Sequence, residues 1–321
     1  MLQFVFKRLL IAIPIFIGIT VVVYTLSCLA PGNVVDIMAA QGNMSQEAYD
    51  AAIAKYGLDK PIIVRYVNWL GDLFQGDLGT SSKTSQPVMS MISDRIVPSL
   101  TLTLTAVILS ILISTPLGVM AAYKPYSVWD NISSAIAFVG ASTPNFFISL
   151  ILVYFLAAKL GWFPAQGMYA VNGDRSFRDL VWHITLPAFV LCIQLMGSYI
   201  KQTRGSVLEV LNEEFVKTAR AKGLREQRVV IRHALRNAWI PIVTAVGLNI
   251  PFIIGGAVVT EQIFAWPGIG SLMISAINTR DYPLIMGITV MISVVVLLAN
   301  IALDVLYAYL DPRIGFRKQE A

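Results

Sequence analysis

"EEFVKTARAKGL" occupies residues 213–224: two acids, then small residues alternating with bases, then a glycine, in a 321-residue chain that is 56% hydrophobic and only 13% charged. On either side lie long apolar runs, free of charge between Asp179 and Lys201 and between Arg236 and Glu261. A polar island between two such runs reads as a loop joining two membrane spans, because a bilayer core needs about 20 mostly apolar residues per helix. Length alone would allow two soluble domains, but a mean hydropathy of +0.68 argues for a membrane protein.

The same test applied outward finds four more charge-free runs, between Arg8 and Asp36, Arg95 and Lys124, Asp130 and Lys159, and Asp281 and Asp304. They predict an all-α polytopic membrane protein of six transmembrane helices near 9–29, 99–122, 132–156, 184–203, 238–259 and 285–310. An even number of spans puts both termini on one side. The expected organisation is a first transmembrane helix (1–30), a long extracytoplasmic loop (31–98), a five-helix transmembrane core (99–311) containing a cytoplasmic loop at 204–237, and a short cytoplasmic tail (312–321). The first apolar run is too long for a signal-peptide h-region and reads as a retained span. Bases gather at Lys7, Arg8 and Lys124, between Lys201 and Arg236, and at Arg313, Arg317 and Lys318, so the positive-inside rule places these segments and both termini in the cytoplasm.

Within the outer loop, Ile62, Tyr66, Trp69, Leu70 and Leu73 recur at helical spacing after Pro61, which predicts an amphipathic helix against the outer leaflet or the bundle. Nearby "GDLGTSSKT" carries Ser82 where a Walker A loop needs glycine before Lys83, and it reads as a polar loop. Cys28 and Cys192 fall in different spans without metal-ligand spacing, which makes them packing residues.

In the cytoplasmic loop, Leu208, Leu211, Phe215 and Ala219 form a narrow apolar stripe, Gly223 offers a left-handed stop, and Arg225, Arg228, Arg232 and Arg236 recur on one basic face. Two short helices joined at Gly223 are expected. Bases beside spans also fix topology and touch anionic headgroups, so charge by itself leaves a headgroup face and a protein-docking face both open. The membrane tether and the lack of interleaved aromatics argue against nucleic-acid binding.

The order of residues resembles a known family. "EEFVKTARAKGLREQRVVIRHALRNAWIP" is similar to the coupling loop of ABC importer permeases of the dipeptide and oligopeptide branch. The resemblance takes in "MLQFVFKRLLIAIP", "GLDKP", "GDLGTS", "TEQIFAWPGIG", "RDYPL" and "LDVLYAYLDPRI" in the same order. It implies a bacterial inner-membrane transport subunit that binds no cofactor and is not itself an enzyme. ATP and magnesium would be used by one or two partner ATPases, alongside a second similar permease subunit and an extracytoplasmic substrate-binding protein. The ATPase-coupling residues it implies are Glu214, Lys217, Thr218, Ala219, Arg220, Ala221, Lys222, Gly223, Leu224 and Arg228, with Ala219 and Ala221 allowing close approach and Arg220 and Lys222 supplying charged hydrogen bonds. Lys217 stands where the wider superfamily has glutamate. Glutathione and nickel chelates are handled by closely similar permeases and stay open as substrates beside peptides.

Pro116, Pro144, Pro241 and Pro251 fall inside apolar runs and permit kinks. Pro251 with Gly255 and Gly256 reads as a gate beside the translocation path or as close helix packing through small residues. In the last span Asn300, Asp304, Tyr307 and Asp311 form a polar stripe, expected to be a structural anchor to Arg313 or the coupling loop rather than a proton site. His183 reads as an interfacial residue. The competing class, an ion-coupled secondary transporter working alone, calls for acids deep in discontinuous helices. An intramembrane enzyme calls for a paired nucleophile and base, which the sequence does not offer.

Overall fold

The computed structural model describes residues 2–30, 32, 35, 36, 39, 42, 44–55, 57–247 and 257–310. Helices α1 (Leu2–Leu29), α2 (Gln46–Lys55) and α3 (Ile62–Phe74) are followed by α4 (Val88–Tyr123), α5 (Val128–Ser142) and α6 (Asn145–Leu152), the last continued by a π-helical stretch, Val153–Lys159. Next come α7 (Phe177–Leu211) and α8 (Glu214–Ala221); a turn at Glu226–Arg228 and a π-helical stretch, Val229–Ala234, then lead into α9 (Leu235–Gly247). Helices α10 (Val258–Ile263), α11 (Ile269–Thr279) and α12 (Tyr282–Leu310) complete the order.

Among the described residues, four helices are long and apolar enough to cross a membrane: Val5–Leu29, Val88–Tyr123, Phe177–Leu211 and Tyr282–Val305. Helices α5 and α6 with its π-helical continuation make a fifth span if the pair is taken together, bent by 102° at the break. The predicted continuous helix 132–156 is therefore corrected to a broken one. Thr143 is extended (φ −93°, ψ 126°) before Pro144, as the proline ring demands of the residue preceding it. The predicted span 238–259 runs from α9 into residues 248–256, outside the described residues. Helix α4 starts at Val88, well before the predicted 99, because Val88 and Ile92 are buried while Asp94 is exposed, so an amphipathic first part precedes the charge-free run.

The chain forms two compact units, Met1–Val97 with Gly268–Val305, and Pro98–Pro267 with Leu306–Ala321. In the first, Val88 and Ile92 pack with Ile269, Leu272, Ala276, Leu284 and Ile288. Helix α3 lies on α1: Tyr66 and Thr20 hydroxyls are 2.9 Å apart, and the Tyr24 ring sits 5.5 Å from Tyr66 and 5.3 Å from Trp69. In the second unit α5 crosses α7 with almost no space between backbones. A Cβ on Gly140 would stand 2.3 Å from the Ile193 carbonyl oxygen, and one on Gly197 would stand 2.8 Å from that of Ala137. Ala137, Cys192, Met196 and Ile200 fill the contact around this crossing.

Candidate functional site

Helix α8 is built to present one face. Val216 and Ala219 are buried in a cluster with Ala122 from the end of α4, Val207 and Leu211 from the end of α7, Val229, Val230 and Ala234 from the π-helical stretch, and Ala238 from α9. Glu214, Lys217, Thr218, Ala221 and Lys222 are exposed on the remaining surface. A close-packed interior transmits displacement rather than absorbing it, so a push on α8 is felt at the ends of α4, α7 and α9 together.

The apolar stripe differs from the one read in the sequence. Leu208 and Leu211 belong to α7, which ends before Glu213; a new helix begins at Glu214, and Phe215 is 44% exposed while Val216 is fully buried. The break at Asn212 and Glu213 changes the register, so counting through it selects the wrong neighbour. Phe215 thus stands at the edge of the exposed face. Ala219, whose small size was expected to serve a partner's approach, is instead buried against its own chain.

After α8 the chain turns sharply at Gly223, whose φ of +75° is a left-handed conformation that a side chain would strain. Across this turn Arg220 forks onto Glu226, its Nη2 donating to Oε1 at 2.7 Å and its Nε donating to both carboxylate oxygens at 3.2 Å. The Glu226 carboxylate raises the proton affinity of the guanidinium further. Lys217 pairs with Glu214 at 2.7 Å in an exposed contact that contributes little stability. Leu224 packs at the edge of the cluster. Arg225, Arg228, Arg232 and Arg236 are all exposed, although the π-helical stretch interrupts the α-helical spacing that suggested a single stripe.

Three acids that mark only the ends of apolar runs in the sequence prove to be buried anchors. Asp130 is 4% exposed and receives Arg204 Nε and Nη2, each at 2.8 Å, and the Tyr126 backbone N–H at 2.8 Å. Ser127 caps α5 by accepting the Asp130 N–H at 3.3 Å. Glu261, with no exposed surface, accepts the Ser99 hydroxyl at 2.7 Å, and Trp266 Nε1 donates to the Pro98 carbonyl at 2.9 Å. Asp281 accepts the Ser81 hydroxyl, the Ser82 N–H at 3.1 Å and, at the start of α12, the Leu284 N–H at 3.4 Å. The sequence stretches "GDLGTS" and "RDYPL" thus meet in one hydrogen-bonded knot.

In the last span Asp304 pairs with Arg8 Nη1 at 2.9 Å, an anchor to the start of α1 where the sequence pointed to Arg313 or the coupling loop. Asn300 is exposed. The Tyr307 side chain, Asp311 and Arg313 lie outside the described residues, as do Pro251, Gly255 and Gly256 of the expected gate. His183 is buried at 8% exposure, its Nδ1 2.9 Å from the Asp179 carbonyl oxygen, which makes it a helix-start residue held inside the protein. Among the described residues no group of three His, Cys, Asp or Glu could hold a metal ion.

The oligopeptide transport system permease protein AppB of Bacillus subtilis (strain 168) is 43% identical over 317 residues, covering 98% of this chain and all of that protein. The dipeptide transport system permease protein DppB of Escherichia coli (strain K12) is 37% identical over 339 residues, covering 99% of this chain and all of its own length. Among solved structures, an inward-facing form of the MetNI methionine ABC transporter matches with a TM-score of 0.57 at 16% identity, over 71% of this chain and all of that one, a likeness of fold. Residues 1–105 match the N-terminal region described as "Binding-prot-dependent transport system membrane comp, N-term", and residues 114–316 match "Binding-protein-dependent transport system inner membrane component". With several apolar helices and both of these regions matched, the chain belongs to the binding-protein-dependent transport system inner membrane components.

Proposed function

We propose that this chain is one of two transmembrane subunits of an ATP-driven importer of di- and oligopeptides, with six spans and both termini in the cytoplasm. The peptide assignment rests on the relatives named above. The pairing of Arg8, near the start of α1, with Asp304, near the end of α12, supports termini on one side. The sixth span would run from α9 through residues 248–256, where Pro251, Gly255 and Gly256 would serve as a gate. The substrate arrives on an extracytoplasmic binding protein. ATP and magnesium are used by ATPase partners, and this chain is a non-catalytic transport subunit.

The observation that carries the coupling role is the division of α8 into a face committed to its own chain and an exposed face of Glu214, Lys217, Thr218, Ala221 and Lys222, with Phe215 at its edge. That face would sit in a groove on the ATPase, and Arg220 would hold the turn at Gly223 in shape through Glu226. Lys222→Glu is expected to release the ATPase or uncouple hydrolysis from uptake about tenfold or more, as loss of a charge-assisted contact does. Arg220→Glu should act similarly by opening the turn, and Arg220→Glu/Glu226→Arg should recover a large part of the coupling. Co-purification of the ATPase and uptake per ATP hydrolysed measure both; normal coupling in Lys222→Glu would refute the docking face.

The substrate is tested by reconstituting the complete transporter in vesicles and following uptake of labelled dipeptides, glutathione and nickel chelates. ATP-dependent accumulation of peptides is expected. Uptake driven by an ion gradient with this chain alone would overturn the assignment.

A further inference from the structure

The unit formed by Met1–Val97 and Gly268–Val305 holds a cavity of about 400 Å³ at the end of α1, a volume within the range of small-molecule sites. Tyr24, Ser27 and Cys28, three and four residues apart on one face of α1, line it together with Asp36, Arg65 of α3 and Tyr282 at the start of α12. Apolar side chains of α2 and α12 complete the wall. The opposite face of α1 carries Val22, Leu26 and Leu29, which are exposed by 56%, 62% and 74%. On a membrane span that apolar face is the one turned toward lipid. The cavity therefore lies on the protein side of α1, where a water-soluble ligand rather than an acyl chain reaches it.

Arg65 is the group in this wall with most capacity left for a ligand. It is half-buried, lies beside the Tyr24 hydroxyl and takes part in no ion pair among the described residues. A guanidinium stays charged at physiological pH and carries five N–H donors in a planar fork that matches a carboxylate two bonds at a time. One hydroxyl occupies only part of that fork. Partial withdrawal from water strengthens the attraction of such a cation for an incoming anion. Asp36, which accepts the Tyr49 hydroxyl at 2.6 Å, gives the same cavity a negative charge. A simple anion would be repelled by Asp36, whereas a ligand carrying both signs is complementary to the pair. An unmodified peptide is such a ligand, with a carboxylate at one end and an ammonium group at the other.

We propose that this cavity is a binding site for peptides on the outer side of the membrane, in which the Arg65 guanidinium holds the free C-terminal carboxylate. The inference rests on the peptide-importer reading and on the orientation given with it, which puts the end of α1 outside. Because all unmodified peptides share that terminus, the site selects peptides as a class and leaves their side chains unread.

Cys28 is a native reporter of the site, since it lines the cavity while Cys192, the other of the two cysteines in the chain, is buried. The test places the assembled membrane complex in vesicles, adds a membrane-impermeant methanethiosulfonate reagent outside, and reads modification of Cys28 by mass spectrometry. Trialanine is expected to protect Cys28. Trialanine amide, which lacks the carboxylate, should need a concentration roughly tenfold higher or more, the effect of hydrogen bonds to a charged group. In Arg65→Gln the two peptides should protect alike, and Arg65→Lys, which keeps the charge without the fork, should fall between. Equal protection by trialanine and its amide in the wild type overturns the proposal, and that comparison needs no variant. So does a preference for trialanine that survives Arg65→Gln. Peptide uptake by the complete transporter with Cys28 unmodified or unprotected removes this site and leaves the importer reading standing. Absence of both uptake and protection rejects that reading itself.

Discussion

Arg204→Ala is expected to destabilise the permease by roughly 3–5 kcal/mol, the cost of leaving one member of a buried ion pair without its partner. The loss should fall more heavily on this side of the pair than on the other. The Asp130 side chain is 6% exposed and the Arg204 side chain 31% exposed, so an abandoned Arg204 can extend toward water, whereas an abandoned Asp130 carboxylate cannot. Asp130→Ala should therefore cost less, although it also leaves the Tyr126 N–H without its acceptor. The double variant Asp130→Asn/Arg204→Ala removes the stranded charge while keeping a carbonyl for Tyr126, and it is expected to recover a substantial part of the loss. Thermal unfolding midpoints of the purified complex measure all three. If the double variant is as unstable as Arg204→Ala, the damage comes from lost packing around Arg204 rather than from a buried carboxylate.

If α8 docks on the ATPase as proposed, the position of this pair would give it a part in coupling as well as in stability. Arg204 stands two turns before the end of α7, where Val207 and Leu211 join the cluster that holds α8, and Asp130 begins the helix that ends at the Thr143–Pro144 break. A rigid fork between them ties the platform under α8 to α5, and through α5 to the broken span. Loss of the tie should thus lower uptake per ATP hydrolysed even in the fraction that assembles.

Much of this arrangement was legible in the sequence, and the parts that were not share a cause. Spans and the polar island at 213–224 follow from hydropathy, which depends on composition over long windows and tolerates local error. Gly223 announced its turn because few other residues accept that backbone. Asp130, Glu261 and Asp281 were read only as ends of apolar runs, since a one-dimensional charge count cannot show that Arg204, Ser99 and Ser81 return to meet them from far along the chain. Pro144 announced a kink, but whether a proline bends a helix or ends it depends on what covers the freed backbone groups. The stripe through Phe215 failed because helical spacing holds only within one helix, and Asn212–Glu213 separates two.

Gly140→Leu should prevent stable assembly of the permease, and Gly140→Ala should already weaken it markedly. The Cβ of any residue there would stand 2.3 Å from the backbone oxygen of Ile193 and 3.3 Å from its carbonyl carbon. Because the nearest atom belongs to the main chain of α7, no rotamer change relieves the clash, and the two helices must separate. Overpacking in a well-packed interior typically costs about 1–3 kcal/mol, and an obstacle of backbone puts alanine at the upper end and leucine beyond it. Separation would also widen the contact filled by Ala137, Cys192, Met196 and Ile200 and pull Asn145 from Gln194. Gly205 provides the control: it lies on the same α7, yet a Cβ there meets nothing within 4 Å. Gly205→Ala is expected to leave assembly intact and to stabilise the helix by up to about 1 kcal/mol, the intrinsic preference of alanine over glycine. The yield of complex in mild detergent separates the two outcomes. If Gly140→Leu assembled as well as Gly205→Ala, the backbones of α5 and α7 could not approach as closely as this packing requires, and a tightly joined pair carrying motion from α8 to the broken span would have to be abandoned.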